Sequence, residues 1–154
     1  MKLTVVPVTN SSRAAALQSG RVDFLIAMMT ATPQRALTFL MTNPYGAYEM
    51  RFVAAKSMKL TSVGDLAHKR VSVPTGSTQD VAVSAMAKEA PGLKVVRFDD
   101  DATAMQALIS GQVDASAQVA TVANDVIAKQ HLTNLEVKTQ VPIFTLYWSM
   151  AVRK

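Results

Sequence analysis

The chain contains no cysteine and no long apolar run in its 154 residues, and each absence excludes some classes of protein. Without cysteine there are no disulfides and no thiolate metal sites. The longest apolar runs, such as residues 24–29, span about six residues, well below the roughly 20 that a membrane-spanning helix needs. His68 and His131 have no partner at the spacing of metal ligands, so the sequence predicts neither a metal nor a cofactor.

Positive charge exceeds negative charge in this chain, but only slightly. There are 16 Lys and Arg against 11 Asp and Glu, a net charge of +5, which mildly favours anionic ligands. The basic residues are scattered and no aromatic stripe accompanies them, so nucleic acid is not an expected partner. A content of 49% apolar and 18% charged residues is that of a globular protein that can bury a core.

One eight-residue segment occurs nearly twice, because residues 16–23 and 107–114 share six identities and begin 91 positions apart. Each copy is typical of the last turn of a helix, a glycine in a left-handed C-terminal cap, and a strand that opens with Val-Asp. The separation is too long for solenoid repeats of roughly 20 to 50 residues, so it predicts two α/β lobes. A cleft between two lobes is the default place for a ligand.

Helix and strand patterns alternate along the chain, which predicts an α/β fold with parallel strands. The predicted strands cover residues 3–8, 22–28, 51–55, 71–74, 93–98, 113–117, 135–137 and 146–152. The predicted helices cover residues 11–19, a turn from 32, a short helix from 62, 77–90, 101–111 and 120–129. Residues 1–47 supply only two strands and one clear helix, so the first lobe is predicted to be incomplete.

Two segments have the chemistry of an anion site. Residues 75–78 lie between a strand and a capped helix, where unpaired backbone N–H groups and the helix dipole favour an anion. An ordinary helix cap is the alternative. Thr30 and Arg35 follow a buried strand at the edge where open α/β sheets bind ligands, and an arginine suits a bidentate contact with a carboxylate. Solvent-facing threonine and arginine are also common there, and Arg13 is either a second cation in the cleft or a solvated helix residue.

The ordered set of segments resembles the periplasmic solute-binding proteins of polar amino acid ABC transporters. The matching segments are Val6-Pro7-Val8-Thr9, Arg13, residues 16–23, Thr30-x-Thr32-Pro33-x-Arg35, Asn43-Pro44-Tyr45, Asp65-Leu66, Lys69-Arg70-Val71, Gly76-Ser77-Thr78, residues 107–114 and residues 151–154. The resemblance implies a fold like that of type II periplasmic binding proteins, with two lobes of mixed, mostly parallel sheet that close over one amino acid. It also implies presentation of the bound form to a membrane permease.

The resemblance divides the chain into residues 1–47 as part of lobe one, 48–147 as lobe two and 148–154 as the second hinge strand. The family has further segments on both sides of the matched region, so the chain is expected to be a fragment. We expect such a fragment to compensate by forming a homodimer through segment exchange. The resemblance implies a periplasmic location, although residues 1–7 do not form a secretory signal.

The resemblance also implies a set of ligand-binding residues. An α-carboxylate would be held by Arg35, Thr30 and the turn that contains Gly76, Ser77 and Thr78. The carbonyl of Met28 would face the α-amino group. Arg13 matches a residue of members that bind acidic or amidated side chains.

One departure from the family affects the ligand. The acid that pairs with the ligand's ammonium group is replaced by Val119, with Gln118 beside it. Burying an ammonium group without a carboxylate costs several kcal/mol unless other acceptors replace it. The predicted ligand is a small carboxylate, first a polar or acidic amino acid, bound without any reaction. The alternatives are a carboxylate without a free amine, a non-binding fragment, a dehydratase-like enzyme and a sensory module.

Overall fold

The computed structural model describes residues 2–139, 141 and 144–154, with eight strands and five α-helices in this part of the chain. The strands are β1 Phe24–Thr30, β2 Phe39–Met41, β3 Gly46–Ala55, β4 Arg70–Pro74, β5 Lys94–Phe98, β6 Ala115–Val119, β7 Leu135–Lys138 and β8 Phe144–Arg153. The helices are α1 Arg13–Gln18, α2 Pro33–Thr38, α3 Thr78–Met86, α4 Asp101–Ile109 and α5 Ala120–Lys129. A 3-10 helix covers Val63–Leu66. No helix among these residues is both long and apolar enough to cross a membrane.

The strands form one mixed sheet, with the order β1-β8-β3-β6-β4-β5 and with β2 beside β8 and β7 beside β3. This confirms the predicted α/β fold. Parallel pairing occurs between β4 and β5 and between β4 and β6, the region of the βαβ units. The other described pairs are antiparallel, including β1 with β8, so the expectation of mostly parallel strands is wrong. The long strands β3 and β8 account for the difference, because they pair with most of the others.

The two copies of the repeated segment fold alike. Gly20 and Gly111 have φ values of 77° and 76°, the left-handed conformation that glycine adopts without steric cost. The amides of Gly20 and Gly111 donate to the carbonyls of Leu17 and Leu108, one of the two hydrogen bonds of a Schellman cap. The strands β1 and β6 begin just after these caps. The duplicated helix-cap-strand unit predicted from the sequence is therefore confirmed.

The segment 3–8 is not a strand, contrary to the sequence-based prediction. It has no regular secondary structure, and Leu3 and Val5 are 66% and 82% exposed. A strand needs a partner for its backbone groups, and Pro7 has no N–H to contribute to a ladder. The apolar composition of this segment indicates a buried strand, but none of the described strands pairs with it.

The buried side chains form clusters of unequal size. The largest described cluster packs around β3, β4 and β6 and has fifteen buried residues, whereas the cluster around α1 and β1 has five. The five are Leu17, Leu25, Met29, Phe39 and Ala151. The cluster around α1 and β1 is the smallest of the described clusters. The lobe boundaries at residues 47 and 147 stay a prediction, because β3 and β8 run without interruption through one sheet.

The pairing of β3 with β8 brings a glycine against the single tryptophan of the chain. Gly46 lies opposite Trp148 in the antiparallel register, and a Cβ atom at residue 46 would lie 2.8 Å from Trp148 Cε3. Gly46→Ala is therefore expected to lower the free energy of unfolding by about 1 to 3 kcal/mol, the usual cost of overpacking. Urea unfolding followed by tryptophan fluorescence measures this change.

Gly64→Ala is the matched control, because the added Cβ there has only an ordinary contact at 3.6 Å with Ser62 Oγ. The Gly64→Ala variant is expected to have the same urea midpoint of unfolding as the wild type, or a slightly higher one. Equal midpoints for the two variants would show that the indole does not pack on residue 46 as described.

Candidate functional site

A small cavity lies where both halves of the chain meet. Arg13 and Met28 line it from the side of α1 and β1, and Thr78 and Asp101 line it from the first turns of α3 and α4. Its free volume is about 20 Å³, room for about one water molecule. An amino acid therefore enters only when the two sides move apart or side chains move.

Two aromatic residues from the crossing strands form part of the cavity wall. Tyr48 of β3 and Trp148 of β8 stack with ring centroids 5.1 Å apart and planes at 25°. The Trp148 indole nitrogen is buried and makes no hydrogen bond within the described residues. Neither aromatic residue is on the list of site residues predicted from the sequence, because their proximity depends on the long-range pairing of β3 with β8.

Arg35 connects the two sides of the cleft. Its Nη1 donates to the Thr30 carbonyl at 2.9 Å, and its Nη2 donates to the Gly76 carbonyl at 3.2 Å, across from β1 to the turn before α3. Burial lowers the pKa of the guanidinium, although it stays charged at neutral pH. The guanidinium predicted to bind a carboxylate thus lies at the boundary between the two sides, with backbone carbonyls as its partners.

A chain of hydroxyls crosses the cleft beside Arg35. Thr30 Oγ1 lies 3.0 Å from the Tyr48 hydroxyl, which lies 3.5 Å from Thr78 Oγ1. Each hydroxyl both donates and accepts, so the chain adapts to a ligand that offers either kind of group. Thr30 and Thr78, both predicted from the sequence, are brought together here by a tyrosine that was not.

Arg13 is a buried cation and not a solvated residue. Its side chain lies within the cavity wall, and Nη1 donates to the Ala27 carbonyl at 2.6 Å. Burial, and then the positive charge of Arg35, lower its pKa to about 10. Asp101 opposes this shift by attraction. Two guanidinium groups thus share one partly desolvated region, which favours anionic groups in a ligand.

The turn of residues 75–78 differs in part from the predicted anion cradle. The Ser77 amide donates to the Pro74 carbonyl, and the Ser77 hydroxyl donates to the same carbonyl and accepts from the Asp80 amide. Ser77 is therefore occupied as the N-cap of α3. The Thr78 amide has no hydrogen bond in the described structure, so it is the backbone donor that this turn offers.

Gln118 lies behind the cavity. It is 2% exposed, and its Nε2 donates to the Ser116 hydroxyl at 2.8 Å and to the Asp101 carbonyl at 3.2 Å. It is absent from the cavity lining, whereas the neighbouring Val119 is part of it. The structure thus gives Gln118 contacts to the protein and not to the space for a ligand.

Asp101 is a charged residue that the sequence analysis missed as a site residue. The side chain of Asp100 caps α4, accepting from the Thr103 amide at 2.8 Å, so the carboxylate of Asp101 points elsewhere. Asp101 Oδ1 accepts from Gln79 Nε2 at 3.0 Å and Oδ2 accepts from Asn10 Nδ2 at 2.9 Å. Burial raises its pKa. The signal in the sequence was the run of three aspartates, 99–101, directly after a strand.

The cleft has cations and hydroxyls on one side and helix N-termini on the other, and these groups suit an anionic ligand. The chain belongs to the bacterial extracellular solute-binding proteins of family 3, because residues 1–109 match that family. No metal-binding group of three or more His, Asp or Glu side chains occurs among the described residues.

Known proteins extend this likeness. The chain is 32% identical over 99 residues to the amino-acid-binding protein AabA of Dichelobacter nodosus, covering 64% of this chain and 39% of that protein. It is 33% identical over 114 residues to the glutamine-binding protein of Geobacillus stearothermophilus, covering 74% and 43%. The arginine-bound, truncated ArgBP from T. maritima superposes with a TM-score of 0.85 at 28% identity, covering 99% of this chain and 70% of that one. The match therefore spans about two fifths of the length of AabA and of the glutamine-binding protein.

Met28 has a strained backbone at the edge of the cleft. Its φ is 47°, and the register of β1 shifts between Leu25 and Met29. A non-glycine residue in this left-handed region costs of the order of 1 to 3 kcal/mol, and such strain concentrates at functional sites. Met28 lines the cavity, so this irregular backbone lies in the cavity wall.

Met28→Gly is expected to raise the free energy of unfolding by about 1 kcal/mol, because relief of strain exceeds the entropic cost of glycine. Ile26→Gly, in the same strand with a side chain 60% exposed and no positive φ, is expected to lower it. Chemical denaturation of both variants measures the difference. Equal destabilisation by the two glycines would contradict the strain at residue 28.

Proposed function

We propose that this chain binds the carboxylate group of a small polar or acidic amino acid in the cleft, as part of a periplasmic protein that delivers it to an ABC transporter permease. The observation that carries the proposal is the convergence of Arg35, Arg13, Thr30 and the Thr78 amide on one boundary between the two halves. These are charged and neutral donors of the kind that bind carboxylates. The relatives named for amino acid binding support the choice of ligand class.

Capture requires opening, because the cavity holds only about one water molecule. A ligand that contacts the donors of both sides favours the closed arrangement by the free energy of its additional contacts. The Arg35 contact to the Gly76 carbonyl is replaced by a contact to the ligand carboxylate in the bound form. Binding and closure are then one event, and the closed surface is what a permease recognises.

Binding without chemistry fits the side chains of the cleft. The hydroxyls of Thr30, Tyr48 and Thr78 bond to one another, and none has a histidine or carboxylate within hydrogen-bond distance in the described structure. A nucleophilic hydroxyl needs such a base beside it. We therefore propose these three hydroxyls as ligand-binding groups and not as nucleophiles.

Arg35→Ala is expected to weaken carboxylate binding by roughly 2 to 5 kcal/mol, the cost of removing one partner of a buried charged pair. Calorimetric titration with glutamate, glutamine, arginine and a few dicarboxylates measures the affinity. The fluorescence of Trp148, which lines the cavity, gives a second readout.

Arg21→Ala is the control, because it removes the same charge at an exposed residue outside the cleft. It is expected to leave the affinity unchanged. If wild-type protein binds none of the ligands, the proposed function is wrong. If Arg35→Ala binds as tightly as Arg21→Ala, the anion is held elsewhere.

Self-association is a second proposal, which rests on the exposed edge of the sheet. β1 is the edge strand, and its Phe24 and Ile26 are 42% and 60% exposed. An exposed apolar edge strand pairs readily with another chain. We expect a homodimer, formed by segment exchange at this edge, in sedimentation at micromolar concentration. Ile26→Lys is expected to shift the equilibrium from dimer toward monomer. A wild-type protein that sediments as a monomer would contradict the proposal.

A further inference from the structure

At the junction of β6 and α5, the cavity wall has an aliphatic side chain and no carboxylate. Val119, the last residue of β6, is 4% exposed and lines the cavity with an aliphatic side chain. An amino acid carries an ammonium group, and burying that group without an anion costs several kcal/mol. A cleft that accepts an amino acid therefore needs a carboxylate at another place in its wall.

Asp101 is a carboxylate in the wall of the same cavity. It stands at the first position of α4, across from Arg13 and beside Val119. Three neighbours fix its position, because Gln79 and Asn10 donate to its two carboxylate oxygens and Gln118 donates to its backbone carbonyl. These contacts come from α3, from β6 and from the loop before α1, so the residue is positioned from both halves of the molecule.

The charge of Asp101 is not neutralised by a side chain at contact distance. No Lys or Arg lies within ion-pair distance of it in the described structure, and the donors that it accepts from are neutral amides. Arg13 attracts it only from a longer distance. The residue is not needed to cap α4, since Asp100 does that. A buried carboxylate kept by neutral donors alone is costly for folding, and a cation supplied by a ligand compensates that cost.

We infer that Asp101 binds the ammonium group of the ligand in place of an acid at Val119, and that the cleft selects an amino acid with two carboxylates. The charges support this class. The guanidinium of Arg13 and the carboxylate of Asp101 line the cavity, and the guanidinium of Arg35 lies at the boundary between Thr30 and Gly76. An acidic amino acid carries two negative groups and one positive group, which matches this set with opposite sign. This inference rests on the proposed function and adds the residue and the ligand class to it.

The experiment compares glutamate with glutarate, which has the same two carboxylates and no amine. Calorimetric titration of the whole chain gives both affinities for wild type, Asp101→Asn and the control Asp100→Asn, which removes the same charge one residue away. In wild type, glutamate is expected to bind more tightly than glutarate. Asp101→Asn is expected to weaken glutamate binding by about 30-fold or more. Glutarate binding is expected to stay the same or to tighten, because the variant removes a negative charge beside a ligand that has no ammonium group. Asp100→Asn is expected to leave the ratio of the two affinities as in wild type.

A second variant tests the role of Asp101 by placing the carboxylate at a different residue of the cavity wall. Val119→Asp in the Asp101→Asn background returns a carboxylate to the same cavity and is expected to restore the preference for glutamate. Retained glutarate binding in Asp101→Asn shows that the variant is folded with an intact cleft.

The outcomes separate the two proposals. If wild type binds glutamate and Asp101→Asn binds it equally well, the inference is wrong and the proposed function stands. Equal losses for glutamate and glutarate would give Asp101 a structural role and also overturn the inference. If wild type binds neither compound nor any other carboxylate of the panel, the proposed function fails and the inference fails with it.

Discussion

The antiparallel pairing of β3 with β8 is the constraint on which the site depends. It joins the strand region around β1 and β2 to the βαβ region around β4, β5 and β6, since β8 pairs with the first group and β3 with the second. The same pairing stacks Tyr48 on Trp148 at the boundary. Backbone hydrogen bonds thus fix where the two halves meet, and the aromatic wall follows from the register. A slip of one residue between the two strands would place the two rings on opposite faces of the sheet.

Burial of charged side chains at this boundary lowers the stability of the fold. Hydrogen bonds to backbone carbonyls and from neutral amide side chains reduce this cost. Arg13 and Arg35 donate to carbonyls of residues 27, 30 and 76, and Asp101 accepts from two amide side chains. Such contacts orient the charged groups but leave much of their charge uncompensated. The shifts of pKa agree, because burial lowers those of both arginines and raises that of Asp101. Buried charges without a charged partner lower the stability of the fold, and under the proposed function a ligand of opposite charge would compensate them.

Local features of the fold were predictable from the sequence, whereas the site was predictable only in part. Helix α5 has the predicted bounds 120–129, and both glycine caps form, because helix periodicity and capping are encoded within a few residues. The strand predicted for residues 3–8 is absent, because apolar composition does not specify a partner. Asp101 was missed as a site residue, since the sequence does not show which of the neighbouring aspartates caps α4 and which is free for another role. The partnership of Tyr48 with Thr30 and Thr78 depends on contacts between distant segments.

The hydrogen bond from Arg35 to the Gly76 carbonyl makes the protein its own competitor for the guanidinium. In the binding mode that we propose, a ligand carboxylate gains only the difference between its own contact with Arg35 and the internal contact that it displaces. The apparent dissociation constant is then the intrinsic constant divided by the fraction of molecules in which the internal contact is open. The peptide group of residue 76 thereby adjusts affinity without touching the guest. Turns that orient this carbonyl differently would tune the tightness of capture while every side chain in the cleft stayed the same.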